Sequence, residues 1–339
     1  MKLLHVVGAR PQFMKLAPLL NELKKTNIDS KILHTGQHFD MNMSDIFFED
    51  MGIKKPDYNL NLASSSVGKM LDEITRILSE NKFDSVLVYG DTNSTLAGAI
   101  SARQLGLQVI HYEAGVRNKD PKMPEEINRI LVDSISDILL CVSNSSKMNL
   151  EKEKCWYGSK IFVTGDLMYD SFLKYKTKKI NQDNYIYVTI HRANNTDNKK
   201  TLKNIIDALS EINKTKEIIF PIHPRTKKMI EQYAIKYDFN TIEPVGYKEN
   251  IKLIQGSDFV ITDSGGVVRE SYWANKKSIL LVNKPLWPEL VDLNSCINID
   301  SNYETIIDSV SKIIELNPIF DTDIYGDGNS AKKIRDILC

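Results

Sequence analysis

The sequence predicts an α/β protein built from two doubly wound, Rossmann-like domains facing a cleft. Three observations lead there. Short continuous apolar runs alternate with amphipathic stretches from one end of the chain to the other. The alternation breaks once, at the polar stretch 174–184 (KYKTKKINQDN), which reads as a linker. Polar clusters fall just after the ends of the apolar runs. Continuous apolar strands imply parallel sheets covered by helices on both faces. Ligands of such sheets bind beyond the carboxyl ends of the strands.

The first series of strands is expected at 2–8, 30–35, 84–90, 107–113, 137–142 and 161–164. The second is expected at 185–190, 217–222, 240–245, 258–262, 278–282 and 296–299. Amphipathic stretches between them predict helices such as 12–25, 67–80 and 92–105, then 199–213, 247–255 and 303–316. The expected domains are 1–172, carrying acid and base residues, and 173–325, binding a nucleotide. A final helix over 326–339 is expected to pack back on the first domain.

With 339 residues the chain suits two domains. It holds 42% hydrophobic and 26% charged residues, ordinary values for a globular protein. Its 44 basic and 44 acidic residues cancel, which gives no support to DNA or another polyanion as partner. The chain starts directly in a strand, against a signal peptide. No apolar run approaches the ~20 residues of a membrane span. Cys141, Cys155, Cys296 and Cys339 show no paired spacing, against a zinc site or disulfide framework. A cytoplasmic protein with free thiols is the expectation.

The segment His111–Arg129 follows the apolar run Gln108–Ile110. It reads as one loop holding Glu113, Arg117, Glu125, Glu126 and Arg129, broken by Pro121 and Pro124. Carboxylates and arginines at a strand end suit proton transfer near a bound anion. Taken alone, the segment fits a solvated loop with ion pairs better than an active site. Thr262-Asp263-Ser264-Gly265-Gly266 follows an apolar run and opens a helix at Val267. Glycines there let backbone N–H groups approach a phosphate at a helix N-terminus. Ser264 could donate to it, and Glu270, one turn on, could accept from ribose hydroxyls. The plainer reading makes Ser264 an N-cap in a glycine-rich turn. There is no GxGxxG and no Walker-type lysine, against NAD or ATP.

Gly8-Ala9-Arg10-Pro11 ends the first strand, and Pro11 suits a first helical turn. Arg10 and Lys15 are then placed to hold a diphosphate. His191, followed by Arg192, and His223, in PIHPR, end neighbouring strands. Two histidines at equivalent ends favour substrate contact. They lack the second ligand at helical or hairpin spacing that a metal would need. His38, in TGQH, is a further candidate, whereas His5 and His111 read as structural.

Together these blocks resemble the non-hydrolysing UDP-N-acetylglucosamine 2-epimerases. The matching pieces are GARPQFMK (8–15), TGQH (35–38), YGDTNSTLAG (89–98), HYEAGVR with PEEINR (111–129), HR (191–192), PIHPR (221–225) and TDSGG with Glu270. The resemblance implies a GT-B-like fold, a homodimer, and a nucleotide held mainly by the second domain. It implies that the C2 proton leaves while UDP departs from C1, giving 2-acetamidoglucal, and that both return with C2 inverted. Asp91, Glu113, Glu125 and His191 are then the acid and base candidates. Arg10, Lys15, His223, Ser264, Gly265, Gly266 and Glu270 are the substrate-binding candidates, with no metal and no cofactor. Which carboxylate is the base stays open.

The family's GTRPE is Gly8-Ala9-Arg10-Pro11-Gln12 here, and its HRxEN is His191-Arg-Ala-Asn194-Asn195. Of its RDTTERPE, Val282–Glu289 keeps the final Pro-Glu. Its effector-contacting Arg-Gln pair falls near Gly68-Lys69, against activation by substrate. GARPQF, GQHFD (36–40), MSDIFF (43–48) and GKM (68–70) resemble a branch acting on UDP-2,3-diacetamido-2,3-dideoxy-glucuronate. Lys69 or Lys284 could answer its carboxylate. A hydrolysing epimerase, a GT-B glycosyltransferase and a non-catalytic UDP-sugar sensor remain as competing functions.

Overall fold

Among the described residues, seven parallel strands and six parallel strands make two separate sheets in the computed structural model. It describes residues 1–37, 51–153, 158–178, 184–320 and 322–339. Met1–Lys174 and Thr322–Cys339 form the first unit, and Tyr175–Asp321 the second. His38, the stretch 43–48 and Cys155 lie outside the described residues.

The first unit runs β1 (Lys2–Val7), α1 (Arg10–Leu23), β2 (Asp29–His34), β3 (Tyr58–Asn59), α2 (Val67–Glu80), β4 (Ser85–Tyr89), α3 (Asn93–Gln104), β5 (Gln108–Tyr112), α4 (Pro124–Ile135), β6 (Ile138–Cys141), α5 (Asn144–Glu153), β7 (Lys160–Val163) and α6 (Leu167–Tyr175). Its sheet order is β3-β2-β1-β4-β5-β6-β7. The order reverses between β1 and β4, so helices lie on both faces and a crevice opens at the carboxyl ends of those two strands. β1 and β4 are buried almost throughout, as their apolar sequences require. α2 shows its stripe plainly: Met70, Ile74, Ile77 and Leu78 are buried at helical spacing, behind the N-cap Ser66. α3 is buried along most of its length. Gly98 lets it lie close to the sheet, since a Cβ there would stand 3.1 Å from Val6 and Val88.

The second unit runs β8 (Tyr185–Thr189), α7 (Ala193–Thr196), α8 (Lys199–Asn213), β9 (Glu217–Pro221), α9 (Pro224–Tyr233), β10 (Asn240–Ile242), α10 (Tyr247–Gly256), β11 (Phe259–Thr262), α11 (Gly265–Trp273), β12 (Lys277–Leu281), α12 (Pro288–Asp292), β13 (Cys296–Ile299) and α13 (Tyr303–Glu315). Its order is β10-β9-β8-β11-β12-β13, reversing between β8 and β11. The chain then ends in α14 (Ser330–Leu338), which packs on α1 in the first unit. Asp170 on α6 accepts from the backbone N–H groups of Ser330 (3.1 Å) and Ala331 (2.8 Å). Arg335 reaches Glu22 at 2.6 Å.

Every strand expected from the sequence is present, and β3 is an addition. Two residues are too few to make an apolar run. The segment His111–Arg129 needs a correction, because it is not one loop. His111 and Tyr112 end β5, a turn follows, and Pro124 begins α4. Pro124 sits at the first helical position, where its missing N–H is no loss. Among the described residues no helix is long and apolar enough to cross a membrane. Cys141, Cys296 and Cys339 are free.

Candidate active site

In the first unit the site forms where β1, β4 and β5 end. β1 runs into Gly8, over which the hydroxyls of Thr35 and Ser94 pair at 2.7 Å. A Cβ on Gly8 would overlap both oxygens, so only glycine fits. Gln12, buried, ties two turns together. Its Oε1 accepts from Gly8 N (2.6 Å) and Ala9 N (3.0 Å), and its Nε2 donates to Tyr89 O (2.7 Å) and Thr92 Oγ1 (3.0 Å). The turn that begins α1 is thereby fixed to the turn that carries Asp91. Arg10 starts α1, and its side chain lies outside what the structure describes.

Asp91 follows Gly90, whose φ of +67° only glycine adopts without strain. Its carboxylate pairs with Arg129. Arg129 is 2% exposed and also pairs with buried Glu126 at 2.8 Å. Glu126 in turn accepts from Asn118 N (3.2 Å) and Lys119 N (2.8 Å), closing the turn ahead of α4. Asn128 donates to Asp91 O at 2.9 Å. Glu113 stands one strand over, at a φ of +71° that is uncommon for a residue with a side chain. Its carboxylate is buried against the ammonium of Lys15. The structure thus brings Asp91, Glu113 and Lys15 together at the switch point of one sheet, each charge matched by an opposite one. Glu125 is different. It is exposed on the first turn of α4, with no side-chain partner among the described residues.

In the second unit the corresponding positions follow β8 and β11. Asp263 is fully buried and accepts from His191 N (3.0 Å), Arg192 N (2.9 Å) and Asn195 Nδ2 (3.0 Å). His191 Nδ1 also lies 3.2 Å from Asp263 Oδ1, which orients the ring. The His191 and His223 rings lie 5.6 Å apart between centroids. His223 caps α9, its Nδ1 accepting from Arg225 N at 3.2 Å. Ser264 caps α11 through Val267 N at 3.4 Å, which leaves the hydroxyl hydrogen free to donate. α11 begins at Gly265, two residues earlier than expected, so both glycines lie in its first turn. Glu270 is buried and accepts from Asn250 Nδ2 at 3.1 Å.

The unusual segment 282–289 closes over this helix start. Trp287 Nε1 donates to Gly265 O at 3.0 Å, and Arg269 stacks on the indole at 4.1 Å. A Cβ on Gly265 would lie 3.4 Å from that nitrogen. Among the described residues no group of three or more His, Cys, Asp or Glu could hold a metal.

Sequence reasoning missed three parts of the site's framework: Asp263, Trp287, and Asp133 on α4, which is buried beside His111 Nδ1 (2.7 Å) and accepts from Gly115 N (3.1 Å). Asp263 could have been suspected, since it stands inside TDSGG. The partner choices of Asp133 and Trp287 left no local signal. The Glu126–Arg129 pair was readable at i,i+3 spacing, had the helix been recognised.

The family model for UDP-N-acetylglucosamine 2-epimerase matches residues 21–339. A UDP-N-acetylglucosamine 2-epimerase homolog of Methanococcus maripaludis is 44% identical, over 100% of this chain and 99% of its own length. The UDP-2,3-diacetamido-2,3-dideoxy-D-glucuronate 2-epimerase of Pseudomonas aeruginosa is 40% identical, over 100% and 99%. The crystal structure of the Methanocaldococcus jannaschii UDP-GlcNAc 2-epimerase in complex with UDP-GlcNAc and UDP superposes with a TM-score of 0.93. It is 39% identical and covers 100% of this chain and 99% of its own. With these matches over both sheets and both switch points, the chain belongs to the UDP-N-acetylglucosamine 2-epimerase family and is an epimerase.

Proposed function

We propose that this chain is a non-hydrolysing epimerase that interconverts UDP-GlcNAc and UDP-ManNAc. The observation that carries the reading is the pair of carboxylates, Asp91 and Glu113, at neighbouring strand ends with their own buried cations. A base takes the C2 proton while the C1–O bond breaks and its electron pair leaves with the β-phosphate of UDP. The products are 2-acetamidoglucal and UDP. UDP then adds back at C1, and a proton reaches C2 on the opposite face. The step needs a base on each face and cations at the leaving phosphate, but no redox group.

In this reading Asp91, Glu113, Glu125 and His191 move protons. Arg129 and Lys15 pair with Asp91 and Glu113 and hold the two carboxylates at neighbouring strand ends. Arg10 and Lys15 stabilise the departing diphosphate. Ser264, Gly265 and Gly266 bind it through a hydroxyl and the N-terminus of α11. His223 contacts the nucleotide, and Glu270 accepts from the ribose, its Asn250 contact yielding.

A second substrate is supported by the Pseudomonas relative, named for the diacetamido uronate and 40% identical over the whole chain. We place the enzyme in the cytoplasm as a homodimer making precursors of surface polysaccharide. The exposed stripe Ile127, Ile130 and Leu131 on α4 supports self-association.

The test is NMR of the purified protein in heavy water, with UDP-GlcNAc and the diacetamido uronate in separate tubes. Deuterium at C2 in both epimers is expected with the true substrate. A manno product without deuterium sinks the elimination mechanism, and net release of UDP with free sugar points to hydrolysis instead.

A further inference from the structure

One imidazole of the first unit has a role that the acid and base assignments leave unused. His111, at the end of β5, is fully buried. Its Nδ1 lies 2.7 Å from Asp133 Oδ1, and its Nε2 lies 2.7 Å from the carbonyl oxygen of Gly90. A carbonyl oxygen can only accept. Asp133 accepts as well, since the Arg117 guanidinium, with Nη1 2.7 Å from its other oxygen, and Gly115 N at 3.1 Å both favour the ionised carboxylate. Both ring nitrogens therefore face lone pairs, and a neutral imidazole has a hydrogen on only one of them. At 2.7 Å the second contact would be a repulsion between two unshared pairs.

We infer that His111 is a doubly protonated imidazolium and a positioning residue for the proton-transfer groups. Its charge fits its surroundings. His111, Asp133, Arg117 and Glu153 form a chain of alternating sign, with Arg117 bonded to Glu153 at 2.7 Å. The chain is neutral overall, and that makes a buried cation tolerable. Each end of the imidazolium fixes a different segment. Nε2–H holds the carbonyl of Gly90, the residue before Asp91. Nδ1–H holds Asp133, which through Gly115 N fixes the turn of Glu113, Ala114 and Gly115. Asp133 belongs to α4, the helix of Glu125 and Arg129. One ring thus connects all three carboxylate-bearing segments of the first unit. A buried histidine that merely filled the sheet would need only one of these bonds.

The inference rests on the proposed roles of Asp91 and Glu113, but its first test does not. Nitrogen-15 NMR of the whole protein at neutral pH should show His111 with two ring N–H groups and imidazolium-type nitrogen shifts. A single ring N–H overturns the inference, whatever the protein turns over. The second test compares His111→Phe with His111→Gln. Loss of both donors should lower kcat by about 10²-fold, with the Kd for UDP changed far less, because most of the proposed nucleotide contacts lie in the second unit. His111→Gln, which keeps an amide donor, should recover part of the loss. A folded Phe variant with wild-type kcat also overturns the inference, and if that variant does not fold the NMR result decides. Absence of C2 deuteration in the wild-type enzyme would instead sink the epimerase reading and leave the protonation result standing.

Discussion

Arg129 carries two carboxylates from one buried position. Replacing it by methionine keeps the volume but strands Glu126 and unbinds Asp91. The expected cost is about 3–5 kcal/mol of unfolding free energy, read by urea titration. A loss under 1 kcal/mol would show that water reaches the pair. Glu113→Gln tests the other carboxylate. It should lower kcat by ~10²–10⁴-fold and abolish C2 deuteration, while UDP still binds. Unchanged deuterium exchange would remove Glu113 from the mechanism. The residue types at these positions were legible in the sequence. Their pairing was not, since Lys15 and Glu113 lie 98 positions apart and nothing local marks them as partners.

At the scale of elements, α14 depends on Asp170. Burial raises its carboxyl to about 6 from the usual 3.8, against the two backbone N–H groups of α14 that favour the anion. The folded state therefore holds a proton that the unfolded chain has lost between those values. Stability from this group is fully present below 3.8 and is lost as pH rises through about 6. Compared with Asp170→Asn, the wild type should gain stability as pH falls from 7 toward 4. Parallel urea titrations of both proteins, giving the same difference at each pH, would exclude it. Element boundaries also show what periodicity could reach. α2 and α8 match their expected spans because polar residues flank a complete apolar stripe. α4 was missed because its charges and prolines look like a loop when counted along the chain. Wound at helical spacing, they put Glu126 and Arg129 on the buried side and Ile127, Ile130 and Leu131 outside.

For the whole molecule, the exposed stripe of α4 carries the prediction about self-association. Leu131→Arg should turn a dimer into a monomer in sedimentation while leaving the fold intact by circular dichroism. A wild-type protein that sediments as a monomer would remove the homodimer from the proposal. The sequence by itself determined the fold class and the family. Parallel strands buried on both faces must be continuously apolar, and nearly all the chemistry-bearing residues follow strand ends in fixed order. Tertiary structure decided the rest. Strand order places the ends of β1 and β4 side by side, and those of β8 and β11, although neither pair is consecutive in sequence. The first adjacency gives Glu113 its lysine, while β4 beside β5 gives Asp91 its arginine and His111 its two acceptors, because contacts at a few ångströms depend on which strands pair.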